Sequence, residues 1–464
     1  MNAIAEKPLM DSEIWALQKA YYSEQKQEAW LSVPYLYTSN RLIAKWTAQL
    51  IAQIATRFPN ETIHVIELGS GHGMYSYFLY EYLTEFQVKF ELTIADLVEA
   101  NIAYLQSLPQ WQGLPVKWCA LDLAESIDTL TLNDMPTFVV ANYFFDSLPQ
   151  AAYAKHDGVW KPAYVKVDSG KQSGDLILDF SVQDKHIECA WTKRLLSRYS
   201  GSERVLIPET VFNLFAHLKL NKNPVFCIVN DKGFVDKTHL NYCDAYSYHN
   251  DGAMATMVNF DAITQWVNER GDGYAVHAAN SVENNHVVWY VMNDPDKQYQ
   301  QGLSMGFMGP SWSDIFQLIL GYSQRGALTL ADCHFYLELT DYDEAMLERL
   351  GGCLAEHLKH SPDDIKNIKS MLLKVCKRIY WHPSRINAFF VLVDLMLKVG
   401  MDVAAFSLLE KYRVYAAFDY EFVWRIGVVS YQQQQFEKAR LYFEKSRKVN
   451  KNCPHAKKYL TLIA

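Results

Sequence analysis

The sequence predicts an α/β sheet domain followed by an all-α domain. Three observations carry that prediction. Between residues 63 and 142, short apolar β-rich runs alternate with helical patterns, the order that builds a parallel sheet covered by helices. The runs end at or just before Glu67, Asp96, Asp122 and Asn142, which places four polar side chains along one edge of such a sheet. Beyond about residue 330 the apolar spacing is helical, and part of it recurs at an offset of 34 residues.

Composition sets the frame. The chain has 464 residues, enough for two or three domains, and half of them are hydrophobic, enough for sizeable cores. A net charge of −8 gives no support to nonspecific nucleic-acid binding. The eight cysteines form no C-x-x-C pair and no zinc-spaced cluster, so free thiols and no metal are expected. The first residues carry neither a signal-peptide pattern nor an Arg-rich transit pattern, and no apolar run has membrane-spanning length. A cytoplasmic location, with no membrane or nucleic-acid partner, is the expectation.

The elements follow in order. A helix is expected over 12–26, then a connector over 34–40. Asn40 is placed to cap a long helix over 41–56. Strands are expected over 63–68, 89–95, 116–120 and 137–141, with helices after Gly73 and over 99–107. From 152 to 180 short β-rich runs alternate with turns. A buried strand over 225–229, a helix over 261–269 and a final strand over 287–292 complete the sheet domain. This divides the chain into an N-terminal helical segment (1–60), a sheet domain (61–330) with an insertion at about 185–260, and a helical domain (331–464). In the last, Val393, Gly400, Ala405 and Leu409 recur as Gly427, Gln434, Ala439 and Phe443, each 34 residues later. That is the tetratricopeptide (TPR) period, and Trp424 and Tyr431 also fall near the pattern; an ordinary antiparallel bundle is the alternative.

The first strand ends in Glu67-Leu68-Gly69-Ser70-Gly71-His72-Gly73. Glycines at alternate positions between a strand and a helix allow backbone N–H groups to approach a ligand. This E-L-G-x-G-x-G form resembles motif I of class I S-adenosylmethionine (SAM) methyltransferases and differs from the G-x-G-x-x-G dinucleotide fingerprint. The same glycines would also serve a βα turn in any doubly wound sheet. The resemblance implies a Rossmann-like sheet with S-adenosyl-L-methionine as cofactor, held by Glu67, Gly69, Ser70, Gly71, Gly73, Asp96, Leu97, Asp122, Leu123 and Asn142. Asp96 would accept the ribose hydroxyls, or cap the following helix. Asp122 would meet the adenine amino group, or serve only its turn. Glu67 would order the glycine turn or meet the ligand's amino end. His72 would contact the ligand or, as the leading expectation, lie in an exposed loop.

The second distinctive stretch is Ala141-Asn142-Tyr143-Phe144-Phe145-Asp146-Ser147-Leu148-Pro149. It resembles the A-N-E-x-x-D-A-L-P segment of MidA-type methyltransferases, the family of the mitochondrial complex I assembly factor with arginine methyltransferase activity. Tyr37-Thr38-Ser39-Asn40, Trp160-Lys161-Pro162, Val229-Asn230-Asp231-Lys232-Gly233, Tyr246-Ser247-Tyr248-His249 and Ala255-Thr256-Met257-Val258-Asn259-Phe260 resemble further family segments in the same order, over roughly residues 30 to 295. Several acids of the family pattern are absent: Tyr143, Ala255, Asn259 and Pro162 stand in their places. A guanidinium stays protonated and needs acids around it.

The resemblance therefore implies a retained cofactor half and an altered acceptor half. Asn142, Tyr143, Asp146 and His249 are the catalytic candidates, with Asp146 orienting the acceptor or capping its turn. Methyl transfer to a protein side chain is the leading expectation, with the TPR-like region engaging a protein partner. A non-catalytic adaptor that keeps a SAM pocket, and a small-molecule methyltransferase, are the alternatives. A nucleotide-linked oxidoreductase fits neither loop.

Overall fold

The computed structural model describes residues 6–31, 33, 39–169, 176–238, 240, 248–250, 254–277, 285–305, 312–325, 328–359, 362–415 and 419–463. The chain divides into two compact units, Met1–Ser107 with Trp111–Asp314, and Leu108–Gln110 with Ile315–Ala464.

The first unit opens with β1 (Lys7–Pro8), α1 (Glu13–Gln25) and α2 (Arg41–Ala55). Ser12 and Asn40 cap the two helices, each side chain accepting from a backbone N–H of the first turn. Then come β2 (Ile63–Leu68), α3 (Met74–Glu85), β3 (Phe90–Asp96), α4 (Glu99–Ser107), β4 (Val116–Ala120) and β5 (Thr137–Asn142). A meander of β6 (Ala151–His156), β7 (Val159–Ser169) and β8 (Leu176–Val182) follows, then α5 (Ala190–Ser197), β9 (Arg204–Ile207) and α6 (Glu209–Leu218). The unit continues with β10 (Val225–Phe234), β11 (Tyr248–Asn250), β12 (Met254–Thr256), β13 (Val258–Asn259), α7 (Phe260–Asn268), β14 (Tyr274–His277), β15 (Asn285–Met292) and α8 (Gln300–Met305).

The main sheet has the order β14-β15-β10-β5-β2-β3-β4. Neighbours from β10 to β4 are parallel, and β15 runs antiparallel to both of its neighbours. From β2 the chain winds outward to β3 and β4, then returns to β5 and β10 on the other side. The winding reverses between β2 and β5, so the crevice beyond their carboxyl ends is where such a sheet takes a ligand. Alternate residues explain the two-sided burial. Ile66, Leu68, Val139, Ala141, Val225, Cys227, Val229, Val288 and Tyr290 join one apolar core with Val211, Phe215 and Ile263 of α6 and α7. Their neighbours Val65, Phe138, Val140, Phe226, Ile228 and Trp289 are buried too.

A second, antiparallel sheet has the order β1-β7-β6-β9, with β8 also paired to β7. The late strand β13 joins the end of β10 in parallel, and Gly233 permits that approach: a Cβ there would lie 2.0 Å from the Val258 carbonyl oxygen.

The second unit is helical. After α9 (Trp312–Arg325), which begins at the unit boundary, come α10 (Leu330–Leu339), α11 (Glu344–His357), α12 (Pro362–Arg378), α13 (Ile386–Lys398), α14 (Asp402–Tyr412), α15 (Tyr420–Gln432), α16 (Phe436–Val449) and α17 (Pro454–Ile463). The starts of α13 and α15, and those of α14 and α16, are both 34 residues apart. The recurring side chains Ala405, Leu409, Ala439 and Phe443 are all buried. Gly427 lets α15 meet α16 closely, since a Cβ there would stand 2.6 Å from the Phe443 ring. Arg425 ties α15 to α13 by a two-pronged ion pair with Asp394, both contacts 2.8 Å. Among the described residues no helix is long and apolar enough to cross a membrane, and no group of His, Cys, Asp and Glu has metal-binding placement.

Candidate active site

The loop after β2 contains three glycines in the left-handed region, with φ of +68° at Gly69, +54° at Gly71 and +69° at Gly73. Side chains with a Cβ are disfavoured there, so the spacing is a conformational requirement. Asp96, at the end of β3, clamps this loop. Its Oδ2 accepts from the Gly71 N–H at 2.7 Å and its Oδ1 from the Val98 N–H at 2.9 Å. Burial raises the Asp96 pKa, and those two hydrogen bonds oppose the rise.

The expectation that the loop's N–H groups face a ligand is corrected. The Ala95 carbonyl takes the Gly69 and Ser70 N–H groups, Asp96 takes that of Gly71, and the Ser70 carbonyl takes that of Gly73. His72 is corrected too. It is buried, not exposed, and its Nδ1 accepts from the Met74 N–H at 3.1 Å, capping α3 where Gly73 has no side chain to do so.

The glycine surface is covered by aromatic rings. A Cβ on Gly69 would lie 2.4 Å from Phe144, and one on Gly71 would lie 2.3 Å from Trp30. Trp30 also packs edge-on against His72, with ring centroids 5.2 Å apart. Around this loop stand the buried polar groups of Trp30, Asn142 and Tyr75; Trp30 Nε1 has no hydrogen bond among the described residues, while the Tyr75 hydroxyl takes hydrogen bonds from Thr47 and Asn142. Burial raises the Tyr75 pKa, and its hydroxyl lies near Thr47, Glu67 and Asn142. Glu67 accepts from the Ser76 hydroxyl; burial first, then Asp96, push its pKa well above the usual range. A buried donor with no partner among the described residues, near two acids, is what a polar ligand would satisfy.

Two of the expected cofactor contacts, Asp122 and Leu123, have partners within the protein. Asp122 Oδ2 pairs with Lys19 of α1 at 2.8 Å, and its Oδ1 accepts from the Ala124 N–H at 3.1 Å. Asp122 thus holds its turn and pairs with α1. Leu123 is buried in the core, while Leu97 beside Asp96 is half-buried.

The loop after β5 is organised from β10. Tyr143 has φ +45°, a strained value for a bulky side chain, and its N–H donates to the Asn230 carbonyl at 2.9 Å. Asp231 Oδ2 accepts from the N–H groups of Phe144 and Asp146, both at 3.0 Å, and its Oδ1 from that of Lys232 at 2.8 Å. Burial and the neighbouring Asp146 hold the Asp231 pKa well above the usual range.

The Asp146 side chain is also buried. Its Oδ2 stands 3.5 Å from Lys232 Nζ, which lies 5.8 Å from the centre of the Tyr143 ring. Thr256 donates to the Asp146 carbonyl oxygen at 3.0 Å, so β12 supports the same loop. The Tyr22 hydroxyl of α1 lies near both Asp146 and Asp96; burial, then Asp146, raises its pKa. Asn259 caps α7 by accepting from the Ala262 N–H at 3.0 Å, a role an amide fills without an acid.

The structure thus brings Glu67, Gly69, Ser70, Gly71, Gly73, Asp96, Asn142, Tyr143 and Asp146 to neighbouring strand ends. The backbone of His249 lies in β11 opposite Ala255; its side chain, like Tyr37, Thr38 and Tyr246, lies outside the described residues. Sequence reasoning gave no role to Tyr22, Trp30, Tyr75, Asp231 or Lys232. Only Asp231 and Lys232 had a visible signal, a polar end on the apolar 225–229 run.

Residues 42–239, which include both loops and the end of β10, match a family model described as "Putative S-adenosyl-L-methionine-dependent methyltransferase". This match supports S-adenosyl-L-methionine as the cofactor. No curated protein matches the chain. Among solved structures, a COG1565 superfamily member from Burkholderia thailandensis bound to S-adenosyl-homocysteine is 19% identical, with a TM-score of 0.43 over 59% of this chain and 75% of that one. A native structure of a COG1565 superfamily protein from the same organism is 18% identical, with a TM-score of 0.40 over 57% and 80%. The N-methyltransferase NodS from Bradyrhizobium japonicum, in complex with S-adenosyl-homocysteine, is 11% identical, with a TM-score of 0.29 over 58% and 98%.

Proposed function

We propose that this protein is an S-adenosyl-L-methionine-dependent methyltransferase that acts on a nitrogen of a protein side chain. The observation that carries the reading is the triple-glycine loop clamped by Asp96, with the buried polar groups of Trp30, Asn142 and Tyr75 around it. The cofactor would supply a methyl group from a sulfonium centre. Asp96 accepts from Gly71, Val98, Ser70 and Asn101, so ribose hydroxyls would take the places of the Ser70 and Asn101 donors. Glu67, Tyr75 and Asn142 would hold the amino-acid end. Phe144 and Trp30 exclude water from the loop, and Asp146 orients the acceptor. Such a reaction depends mainly on positioning.

The MidA-type resemblance favours arginine as the acceptor nitrogen. The equal 34-residue offsets of two helix pairs favour TPR-like repeats, whose concave faces bind protein segments. The adaptor reading draws support from Tyr143, which stands where the family pattern has an acid, and from the pairing of Asp146 with Lys232.

Calorimetric titration with SAM and S-adenosylhomocysteine, followed by incubation of the full chain with labelled SAM and a protein extract, tests the proposal. Saturable binding with label in a side-chain nitrogen supports it. Binding without transfer selects the adaptor reading. A protein free of co-purified ligand that binds neither compound overturns the cofactor assignment.

A further inference from the structure

Two cysteines of the helical unit meet across a helix pair. Cys333 stands in the first half of α10 and Cys353 in the second half of α11. Only residues 340–343 separate the two helices, and so short a link makes them antiparallel neighbours. Leu337, one turn after Cys333, and Leu350, one turn before Cys353, are both buried, so each cysteine lies on the inward side of its helix.

The two sulfurs are 3.5 Å apart, with the Cys333 thiol directed at the Cys353 sulfur. The Cys353 thiol in turn donates to the Leu328 carbonyl at 3.1 Å, which also accepts from His357 Nε2 at 2.9 Å. Both are free thiols, Cys333 buried and Cys353 half-buried. A disulfide holds its sulfurs about 2.05 Å apart, so an approach of about 1.5 Å would close the pair. Burial, then the hydrogen bond to Cys353, raises the Cys333 pKa. A buried thiol of that kind is a poor first nucleophile, and the more exposed Cys353 is the one a small oxidant reaches.

We infer that Cys333 and Cys353 form a reversible dithiol modification site, oxidised to a disulfide by a hydroperoxide. The Cys353 thiolate attacks the outer peroxide oxygen and the O–O bond breaks. The alkoxide that leaves takes up the proton Cys353 released, and Cys353 becomes a sulfenic acid. The Cys333 sulfur then attacks the Cys353 sulfur. The S–O bond breaks, and hydroxide departs with the Cys333 proton as water. Two thiols and one hydroperoxide thus give one disulfide, one alcohol and one water; hydrogen peroxide gives two waters. Two equivalents of a small thiol reverse the change and are themselves joined as a disulfide. While it lasts, the bond fixes α10 to α11.

Brief treatment of the folded full chain with hydrogen peroxide, then alkylation with N-ethylmaleimide in denaturant, tests the site by peptide mass spectrometry. A linked pair of peptides containing Cys333 and Cys353, two hydrogens lighter than the sum of the reduced peptides, is expected, and dithiothreitol is expected to abolish it. Cys333→Ser, checked for folding by thermal melting, should leave Cys353 as a sulfenic acid that dimedone labels severalfold more than in the unaltered protein. In Cys353→Ser, Cys333 should stay reduced. If either variant fails to fold, the linked peptides of the unaltered protein decide alone. The exposed Cys189 is the internal comparison. If it is oxidised while Cys333 and Cys353 both still take the maleimide, the inference is overturned. A disulfide from either residue to any other cysteine overturns it too, as does Cys353 reaching the sulfinic acid with Cys333 still reduced. A linked pair that forms only above the melting temperature also overturns it, because the pairing would then not belong to the folded helices.

Discussion

The loops after β2 and β5 both need left-handed backbone, and they meet the need differently. The first places glycine at each such position, so aromatic rings from elsewhere can lie directly on its backbone. The second places Tyr143 at φ +45° and holds it with a neighbouring strand. A bulky residue there costs about 1–2 kcal/mol, which persists only where the surroundings over-determine the conformation. Close approach is what the first loop requires. In the second the tyrosine side chain itself is retained, and Asp231 supplies the hydrogen bonds that keep it in place.

Gly71→Arg should break the first loop outright. The new Cβ would stand 2.3 Å from Trp30 at a φ of +54°. Affinity for S-adenosylhomocysteine should fall by about 100-fold or more, close to 3 kcal/mol. Retention of affinity within tenfold would show that this loop is not the cofactor cradle.

For the second loop, Asp231→Ala leaves the N–H groups of Phe144, Asp146 and Lys232 without their acceptor. Each buried unsatisfied donor costs about 1–3 kcal/mol, so urea unfolding should show a loss of about 3 kcal/mol. A loss below about 1 kcal/mol would mean that Asp231 does not organise this loop.

A pH titration separates β2 from the loop it carries. His64 on β2 is buried with Nε2 2.8 Å from the Thr93 hydroxyl. Burial, then the positive charge of Lys117, lowers its pKa to about 4. A base depressed in the folded state leaves the unfolded chain with more bound protons between pH 6.5 and about 4. Its contribution is fully present above pH 6.5 and is lost as pH falls through that window, by up to about 3 kcal/mol at 1.36 kcal/mol per unit. His64→Gln should flatten this part of the stability profile measured by urea unfolding. An unchanged slope would sink the assignment.

Asp96→Asn should weaken S-adenosylhomocysteine binding by about tenfold, or 1.4 kcal/mol, through the loop clamp and the ribose contact together. Calorimetry that finds no change would leave Asp96 as a helix and turn cap only. The smallest effect is expected at Tyr143→Gly. Relief of the positive φ should stabilise the protein by about 1 kcal/mol, read as a higher melting temperature, while methyl transfer falls. Destabilisation would mean that the ring contributes more through packing than the backbone strain removes.

Much of the cofactor side was legible in the chain because its determinants are local. The run 63–68 reads as a two-sided buried strand, and the glycine spacing reports φ values directly. Asn40 is legible as a cap for the same reason. His72 was misplaced because its burial comes from Trp30, far away in sequence. For Asp122 the sequence leaves an adenine contact and a turn residue open, and nothing local shows that Lys19, 103 residues away, reaches it. The clamp on the second loop joins Asp231 to residues 85 and 87 positions earlier.

By itself, the sequence determined the alternation of strands and helices, the left-handed glycine turn and the polar residues at the strand ends. Side-chain period, backbone sterics and capping act within a few residues and leave their mark in order. Only the tertiary structure decided which partners each acid takes. Pairing of charges and satisfaction of buried N–H groups depend on which strand ends become neighbours, and the parallel pairing of β10 with β5 brings their ends together across more than 80 residues of chain.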